Sequence, residues 1–584
     1  MSKASLPSLA RSSVAPLSPL APLTVALLLG ACSLPSQPPG VATPGPMGAA
    51  RPGTLQLCTE LASRFQHPAT RLTAAEPVAA DALKVAGQPV GAHCRVTGLM
   101  HERVSPVDGQ NYAIGFEMRL PANWNGRFLY QGNGGLDGIL APATGPVGGR
   151  GSLTNALQMG FAVISSDAGH NIKQLPLFGL DPQARLDYGY QAVAKLTPMA
   201  KALVAAGYGR APDRSYFSGC SNGGRHAFVT AARLPEAYDG ILAGAPGYNL
   251  PQAALAQLYA AQQFARAATD PKKLDSALTP TERQLVTRQV LARCDALDGL
   301  ADGLVQDSAA CQRAFDLQRD VPSCTGEQRT GQCLTTAQKT ALGNVLAGAR
   351  TGTGQALYSP FPADAGFAAE DWGNWKFVYS VTNRDPVAVG YVFMVPPAPK
   401  DMLKNTQAYA LGFDLDRDGA GIHRSDATYT ESAMQFMTPP KPAELGRLRE
   451  RGAKMMVWHG NSDGVFSPEA STAWYRDLQK NQANQGGRAE DFARLYLVPG
   501  MGHCGGGPAT DQFNLLQPLV DWVEGGRAPE QLTAQARGAG NVGGVNTELP
   551  PGWSADRTRP LCAWPKVARY QSGNPERAES FRCE

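Results

Sequence analysis

Few features of this 584-residue chain suggest a nucleic-acid partner: Lys and Arg number 53 against 49 Asp and Glu, and no basic cluster with interleaved aromatics appears. No C-x-x-C pair occurs, so the close cysteine spacing of zinc sites is missing. The glycine-rich stretch "QGNGGLDG" matches neither the P-loop nor the dinucleotide fingerprint, and no organic cofactor is expected. The apolar run "PLAPLTVALLLG" is short of the roughly 20 residues that a membrane span requires. Charged residues are scarce at 17% while hydrophobic residues reach 43%, a balance that excludes a disordered or fibrous chain. Length excludes one ordinary core, since cores stop growing at roughly 250 to 300 residues.

The amino terminus reads as an export signal. Lys3 and Arg11 precede the short apolar run, and "LGAC" closes it with small residues before Cys32. That ending resembles a lipobox, in which Cys32 would be lipidated; a plain signal peptide cut nearby is the alternative. A membrane partner is expected only through that anchor. Residues 33–56 form a Pro/Gly-rich linker that cannot build a core. Ten of the eleven cysteines remain after Cys32, and an even set in an exported chain reads as five disulfides.

Two G-x-S-x-G matches occur, around Ser221 and Ser462. A nucleophile elbow needs a strand, a sharp turn carrying the serine, and a helix that starts at once. "RSYFSG" is strand-like, and "NGGRHAFVTAARL" continues at helical spacing, so Ser221 fits. After Ser462 the next helix signal is the cap and proline at Ser467 and Pro468, which leaves Ser462 in a loop. That loop carries Asp463 just beyond a strand from Lys454 to Trp458. A further strand, Ala493 to Val498, leads to His503. The order Ser221, Asp463, His503 is nucleophile, acid, base, as in an α/β-hydrolase, and catalytic side chains gather at the carboxyl ends of strands in such sheets. His226 would be carried away along the elbow helix, His459 would pack against or orient the acid loop, and His170 could line the pocket.

Cys220 precedes the nucleophile and Cys504 follows the base. If Ser221 and His503 meet, these cysteines come within disulfide reach; two buried free thiols are the alternative. The oxyanion hole would take one N–H from Asn222 and another from the glycine-rich turn in "RFLYQGNGGLDG", whose strand runs from Arg127 to Tyr130. Gly135 is the expected donor there, with Gly134 next.

Between about Gly247 and Arg447 the strand-helix alternation stops and helical stretches such as "LTPTERQLVTRQVLARC" appear. This is read as a mostly helical lid insertion. The expected organisation is a signal peptide with lipobox at 1–32, a linker at 33–56, core at 57–246, lid at 247–446 and core again at 447–584. Within the lid, "CDALDGLADGLVQDSAAC" clusters Asp295, Asp298 and Asp302. That cluster suits calcium, or alternatively a solvated Asp-Gly turn.

"GCSNGG", "HGNSDGVFSP" and "PGMGHCGGGP" together resemble the tannase and feruloyl esterase family, and the resemblance covers nearly all of the chain after the linker. It implies an α/β-hydrolase core with a lid, calcium held by Asp295, Asp298, Asp302 and the carbonyls of Leu300 and Leu304, and five bridges. The implied pairs are Cys58–Cys94, Cys220–Cys504, Cys294–Cys311, Cys324–Cys333 and Cys562–Cys583. Trp375 and Phe466 match aromatic positions flanking the substrate ring, and Arg384 matches an arginine that binds a free carboxylate on aromatic half-esters. Asn222 departs from the threonine common in tannases, and the lid around "YSVTNRDPVAVGYVF" is shortened. The expectation is an exported serine esterase acting on a small aromatic ester, such as a terephthalate half-ester. A feruloyl or galloyl esterase is the nearest alternative, and a non-catalytic lipoprotein binding aromatic acids is a more distant one.

Overall fold

The computed structural model describes residues 44–326 and 328–584. The expected signal peptide, Cys32 and the first part of the linker lie outside the described residues. In chain order the central strands are β1 (Thr70–Val78), β2 (His93–Val104), β3 (Asn111–Pro121), β4 (Arg127–Gly132), β5 (Ala162–Ser166), β6 (Arg214–Cys220), β7 (Gly240–Gly244), β8 (Lys454–Gly460) and β9 (Ala493–Val498). They form one sheet in the order β9-β8-β7-β6-β4-β5-β3-β2-β1. Strands β5 to β9 pair in parallel through β4 and β6, whereas β1, β2 and β3 add an antiparallel wing.

Strands β7 and β8 are buried along their whole length, as parallel strands covered on both faces must be. Alternate residues serve opposite layers. Phe217, Ile241, Met455 and Val457 pack with Leu196, Leu203 and Phe228 from helices Ala192–Tyr208 and Asn222–Arg233. Tyr216, Leu242, Met456 and Trp458 pack with Leu516, Leu519 and Val523 from helix Leu516–Gly525. This is the expected α/β-hydrolase arrangement.

Strands β4 and β8 run two residues beyond the sequence expectation, because Gly132 pairs with Gly219 and Gly460 with Val498. Glycine weakens a strand signal, but here it lets neighbouring loops close over the strand ends. Residues 47–54, expected to be tether, instead lie on the core. The Met47 N–H donates to the Val523 carbonyl at 3.0 Å, and Gly53–Thr54 pairs with Asn123–Trp124. Backbone pairing of this kind needs no apolar side chains, so composition did not reveal it.

Between β7 and β8 the chain supplies helices Leu250–Ala265, Pro280–Cys294 and Thr336–Leu346 and several short helical turns. Phe264, Leu285, Val290, Leu342 and Trp372 give this region an apolar cluster of its own, while Leu255, Val392 and Phe393 join the layer beneath the sheet. All five disulfides implied by the resemblance are formed, which points to an oxidising compartment. No helix among the described residues is long and apolar enough to cross a membrane.

Candidate active site

Ser221 sits at the junction of β6 and helix Asn222–Arg233 with φ 66° and ψ −123°, a strained conformation for a non-glycine residue. Glycines make the turn possible. A Cβ on Gly223 would run into the Gly132 carbonyl, and one on Gly224 into the Gly244 carbonyl. The elbow therefore holds Ser221 above the strand ends with the helix amino terminus behind it.

His503 Nε2 lies 2.8 Å from Ser221 Oγ, and His503 Nδ1 lies 2.7 Å from Asp463 Oδ2. The N–H groups of Val465 and Phe466 donate to Asp463 Oδ1 at 2.8 and 2.9 Å. Burial opposes ionisation of Asp463, yet His503 and His459 hold its carboxyl well below the usual range. His459 Nε2 is 3.2 Å from the same carboxylate and its Nδ1 is 2.8 Å from Ser471 Oγ, so His459 braces the acid. With a carboxylate fixing the imidazole tautomer, such a histidine can take the serine proton. The Cys220–Cys504 bridge, spanning 284 positions, ties the base loop to the elbow.

Asn222 opens the elbow helix, where an N–H lacks an intrahelical partner, and Gly134 lies against Ser221. Gly135 has φ 65° with open space where a Cβ would point, and Tyr188 Oη donates to its carbonyl at 3.1 Å. Behind this loop Asp137 accepts from Asn222 Nδ2 at 2.7 Å and meets His226 Nε2 at 3.0 Å. His226 thus anchors the glycine loop. His170 is also drawn under the loop rather than into an open pocket: it stacks on Phe178 at 3.6 Å, and Nε2 meets the Leu136 carbonyl at 2.8 Å.

The lid contributes Trp375 and Arg384, and the acid loop Phe466. Trp375 and Phe466 set their rings edge-on to His503, at 5.0 and 5.3 Å between centroids. The segment Trp375–Asn383 is π-helical and ends with the Arg384 N–H donating to the Tyr379 carbonyl five residues back, at 3.0 Å. The Arg384 guanidinium faces both rings, 5.0 Å from Trp375 and 5.3 Å from Phe466.

The family profile for tannase and feruloyl esterase matches residues 94–584. The chain belongs to the tannase and feruloyl esterase family. Membership makes it a carboxylic ester hydrolase. Mono(2-hydroxyethyl) terephthalate hydrolase of Piscinibacter sakaiensis is 38% identical over 84% of each chain. An uncharacterized esterase of Xanthomonas campestris is 32% identical over 90% of this chain and 89% of its own. A crystal structure of an esterase from Aspergillus oryzae superposes with a TM-score of 0.69 at 24% identity, covering 90% of this chain and 99% of that one, a likeness of fold.

Sequence reading within the family missed two lid carboxylates. Asp371 Oδ2 accepts the His503 backbone N–H at 2.7 Å, and burial pushes its pKa up to about 6. Asp364 Oδ2 accepts from the Gly500 N–H at 2.9 Å and from Ser462 Oγ, whose oxygen in turn accepts from the Gly366 N–H at 2.9 Å. The second G-x-S-x-G serine is therefore a buried strut between lid and core. Neither aspartate sits in a recognisable motif, so only the folded contacts reveal them.

The acidic segment folds into a tight loop. Asp295 accepts from the N–H groups of Asp302 and Gly303, both at 2.9 Å, and Asp302 pairs with Arg559. Asp298 Oδ1 accepts from the Leu300 N–H at 3.1 Å, while its buried Oδ2 has no partner. Burial, with Asp302 and Asp295 adding to it, pushes the Asp298 pKa up to about 7. Among the described residues no three His, Cys, Asp or Glu side chains form a ready cage. An orphaned carboxylate oxygen on Asp298, in a loop where the Leu300 and Leu304 N–H groups bond to Asp298 and Asp302, suits a hard cation that takes oxygen ligands.

Proposed function

We propose that this protein is a serine esterase of small aromatic carboxylic esters, with terephthalate half-esters such as mono(2-hydroxyethyl) terephthalate as the preferred class. The observation that carries the reading is the Ser221–His503–Asp463 chain of hydrogen bonds beneath the rings of Trp375 and Phe466 and the Arg384 guanidinium. Ser221 Oγ attacks the ester carbonyl while His503 Nε2 takes its proton. The N–H groups of Asn222 and Gly135 receive the developing oxyanion. His503 returns the proton to the departing alcohol, and water then releases the acid from Ser221 by the same steps in reverse order. Asp463 keeps His503 in the tautomer that this requires. The rings of Trp375 and Phe466 bracket an aromatic acyl group, and Arg384 meets its distal carboxylate by paired N–H donors.

Calcium, where bound, would be held by Asp295, Asp298, Asp302 and the carbonyls of Leu300 and Leu304, with a structural role in the lid. Export as a lipoprotein anchored through Cys32 is part of the proposal; mass spectrometry of the mature amino terminus tests it. A second reading, a feruloyl or galloyl esterase, draws support from the 3.2 Å approach of Asp385 to Arg384, which balances the charge of the clamp. The deciding experiment compares kcat/KM on mono(2-hydroxyethyl) terephthalate, methyl ferulate and a gallate ester. Preference for the half-ester, lost selectively in Arg384→Ala, is expected; preference for ferulate or gallate with Arg384 indifferent would replace this reading by the second.

A further inference from the structure

The guanidinium proposed to hold an aromatic acid already has a buried carboxylate beside it. Asp385 follows Arg384 directly and its side chain is 1% exposed. Its Oδ1 lies 3.2 Å from Arg384 Nη1, yet neither Asp385 oxygen nor Arg384 Nη1 has a properly oriented hydrogen-bond partner. A buried ion pair is usually completed by further hydrogen bonds. This one is close enough to cancel charge and too poorly aligned to saturate either group.

The surroundings explain why the pair is tolerated. Arg384 faces the rings of Trp375 and Phe466, which stabilise a guanidinium without consuming its N–H donors. Lys376, also buried, donates to Gln257 Oε1 at 3.1 Å and lies over the Phe361 ring. Burial raises the Asp385 pKa, while Arg384, the nearby Ser380 hydroxyl and then Lys376 and His503 pull against that rise. With no substrate bound, Arg384 without Asp385 would be an uncompensated buried cation. With a half-ester bound, Asp385 becomes a second anion competing for the same guanidinium.

Building on the proposed esterase reading, we propose that Asp385 is a specificity-determining residue: a built-in counter-ion that weakens the Arg384 clamp toward carboxylate-bearing acyl groups and keeps the pocket open to neutral aromatic esters. A clamp whose only partner was the substrate would bind the half-ester more tightly and discriminate more sharply. Asp385 is thus expected to set the ratio between anionic and neutral substrates rather than the rate of bond breaking.

The test uses two esters with the same leaving alcohol, mono(2-hydroxyethyl) terephthalate and 2-hydroxyethyl benzoate, which differ in the distal carboxylate alone. The kcat/KM ratio of the first to the second is measured for the wild-type protein, Asp385→Asn and Arg384→Ala. Removing one like charge next to the bound carboxylate is expected to raise the ratio roughly tenfold in Asp385→Asn, mainly through KM of the half-ester. Arg384→Ala is expected to lower it. If Arg384→Ala lowers the ratio and Asp385→Asn leaves it unchanged or lowers it, the counter-ion role is wrong and the clamp stands. If Arg384→Ala leaves the ratio unchanged, the clamp itself is wrong. Inhibition of 2-hydroxyethyl benzoate hydrolysis by terephthalate gives a second readout, expected to strengthen in Asp385→Asn. Should that variant not fold, Asp385→Ser carries the same expectation.

Discussion

The catalytic triad and three groups in the lid treat their polar atoms in opposite ways. At the strand ends Ser221 Oγ, both ring nitrogens of His503 and both oxygens of Asp463 have partners within hydrogen-bond distance. In the lid, buried atoms of Asp298, Arg384 and Asp385 have none. A buried polar atom without a partner is costly, so each such atom is a place where a ligand's polar group could be accepted. The triad is assembled in advance, and the proposed ligand sites in the lid are built on groups with unpartnered atoms. Substitutions in the two regions should accordingly fail in different ways.

The sharpest test of a pre-assembled core is Ser221→Ala, which should lower kcat by about 10⁴- to 10⁶-fold while leaving the melting temperature nearly unchanged. Asp463→Asn keeps the shape but reverses a hydrogen bond, and a loss of about 10⁴-fold is expected from the wrong histidine tautomer. Ester hydrolysis measured beside circular dichroism checks both. Retained turnover in Ser221→Ala would break the comparison at its root.

Gly224→Ala should lose stability before chemistry. Its added methyl meets the Gly244 carbonyl, which is strand backbone and cannot swing aside, so a cost of about 1 to 3 kcal/mol in chemical denaturation is expected. A lid glycine with free space is the natural control: nothing lies within 4 Å of a Cβ on Gly412, and Gly412→Ala should be close to neutral. Equal losses at both positions would mean that elbow packing is not what makes the glycines necessary.

These differences also determine what could be read from the chain. The triad was legible because strand, elbow and loop signals are local: the glycines around Ser221 and the apolar runs before Asp463 and His503 stand within a few residues of the groups they position. The Cys220–Cys504 bridge was legible because it follows from the triad. Asp137 and His226, which brace the glycine loop, lie 89 positions apart, and neither is unusual in its own neighbourhood. Asp371 and Asp364 were hidden for the same reason. The docking of residues 47–54 was hidden because backbone pairing leaves no mark on composition.

The smallest expected effect concerns Asp298, a lid carboxylate with one oxygen unpartnered. Its pKa is about 7 in the folded chain, against a value near ~4 when unfolded. Between these values the folded protein keeps a proton that the unfolded protein has released, so stability falls as pH rises through the window and the loss is complete above it. A bound cation would replace that proton and remove the loss. Millimolar calcium should therefore raise the melting temperature more at about pH 8 than at about pH 5. The gain is expected to be small, since each kcal/mol moves the midpoint of so large a chain by roughly 1 to 2 °C. Asp298→Asn should flatten the calcium-free pH profile and abolish the response to calcium. A calcium response that survives in Asp298→Asn would place the ion elsewhere. No response in the wild-type protein would leave the acidic loop as an Asp-Gly turn, and the contrast between a saturated triad and unpartnered lid groups would then rest on Arg384 and Asp385 alone.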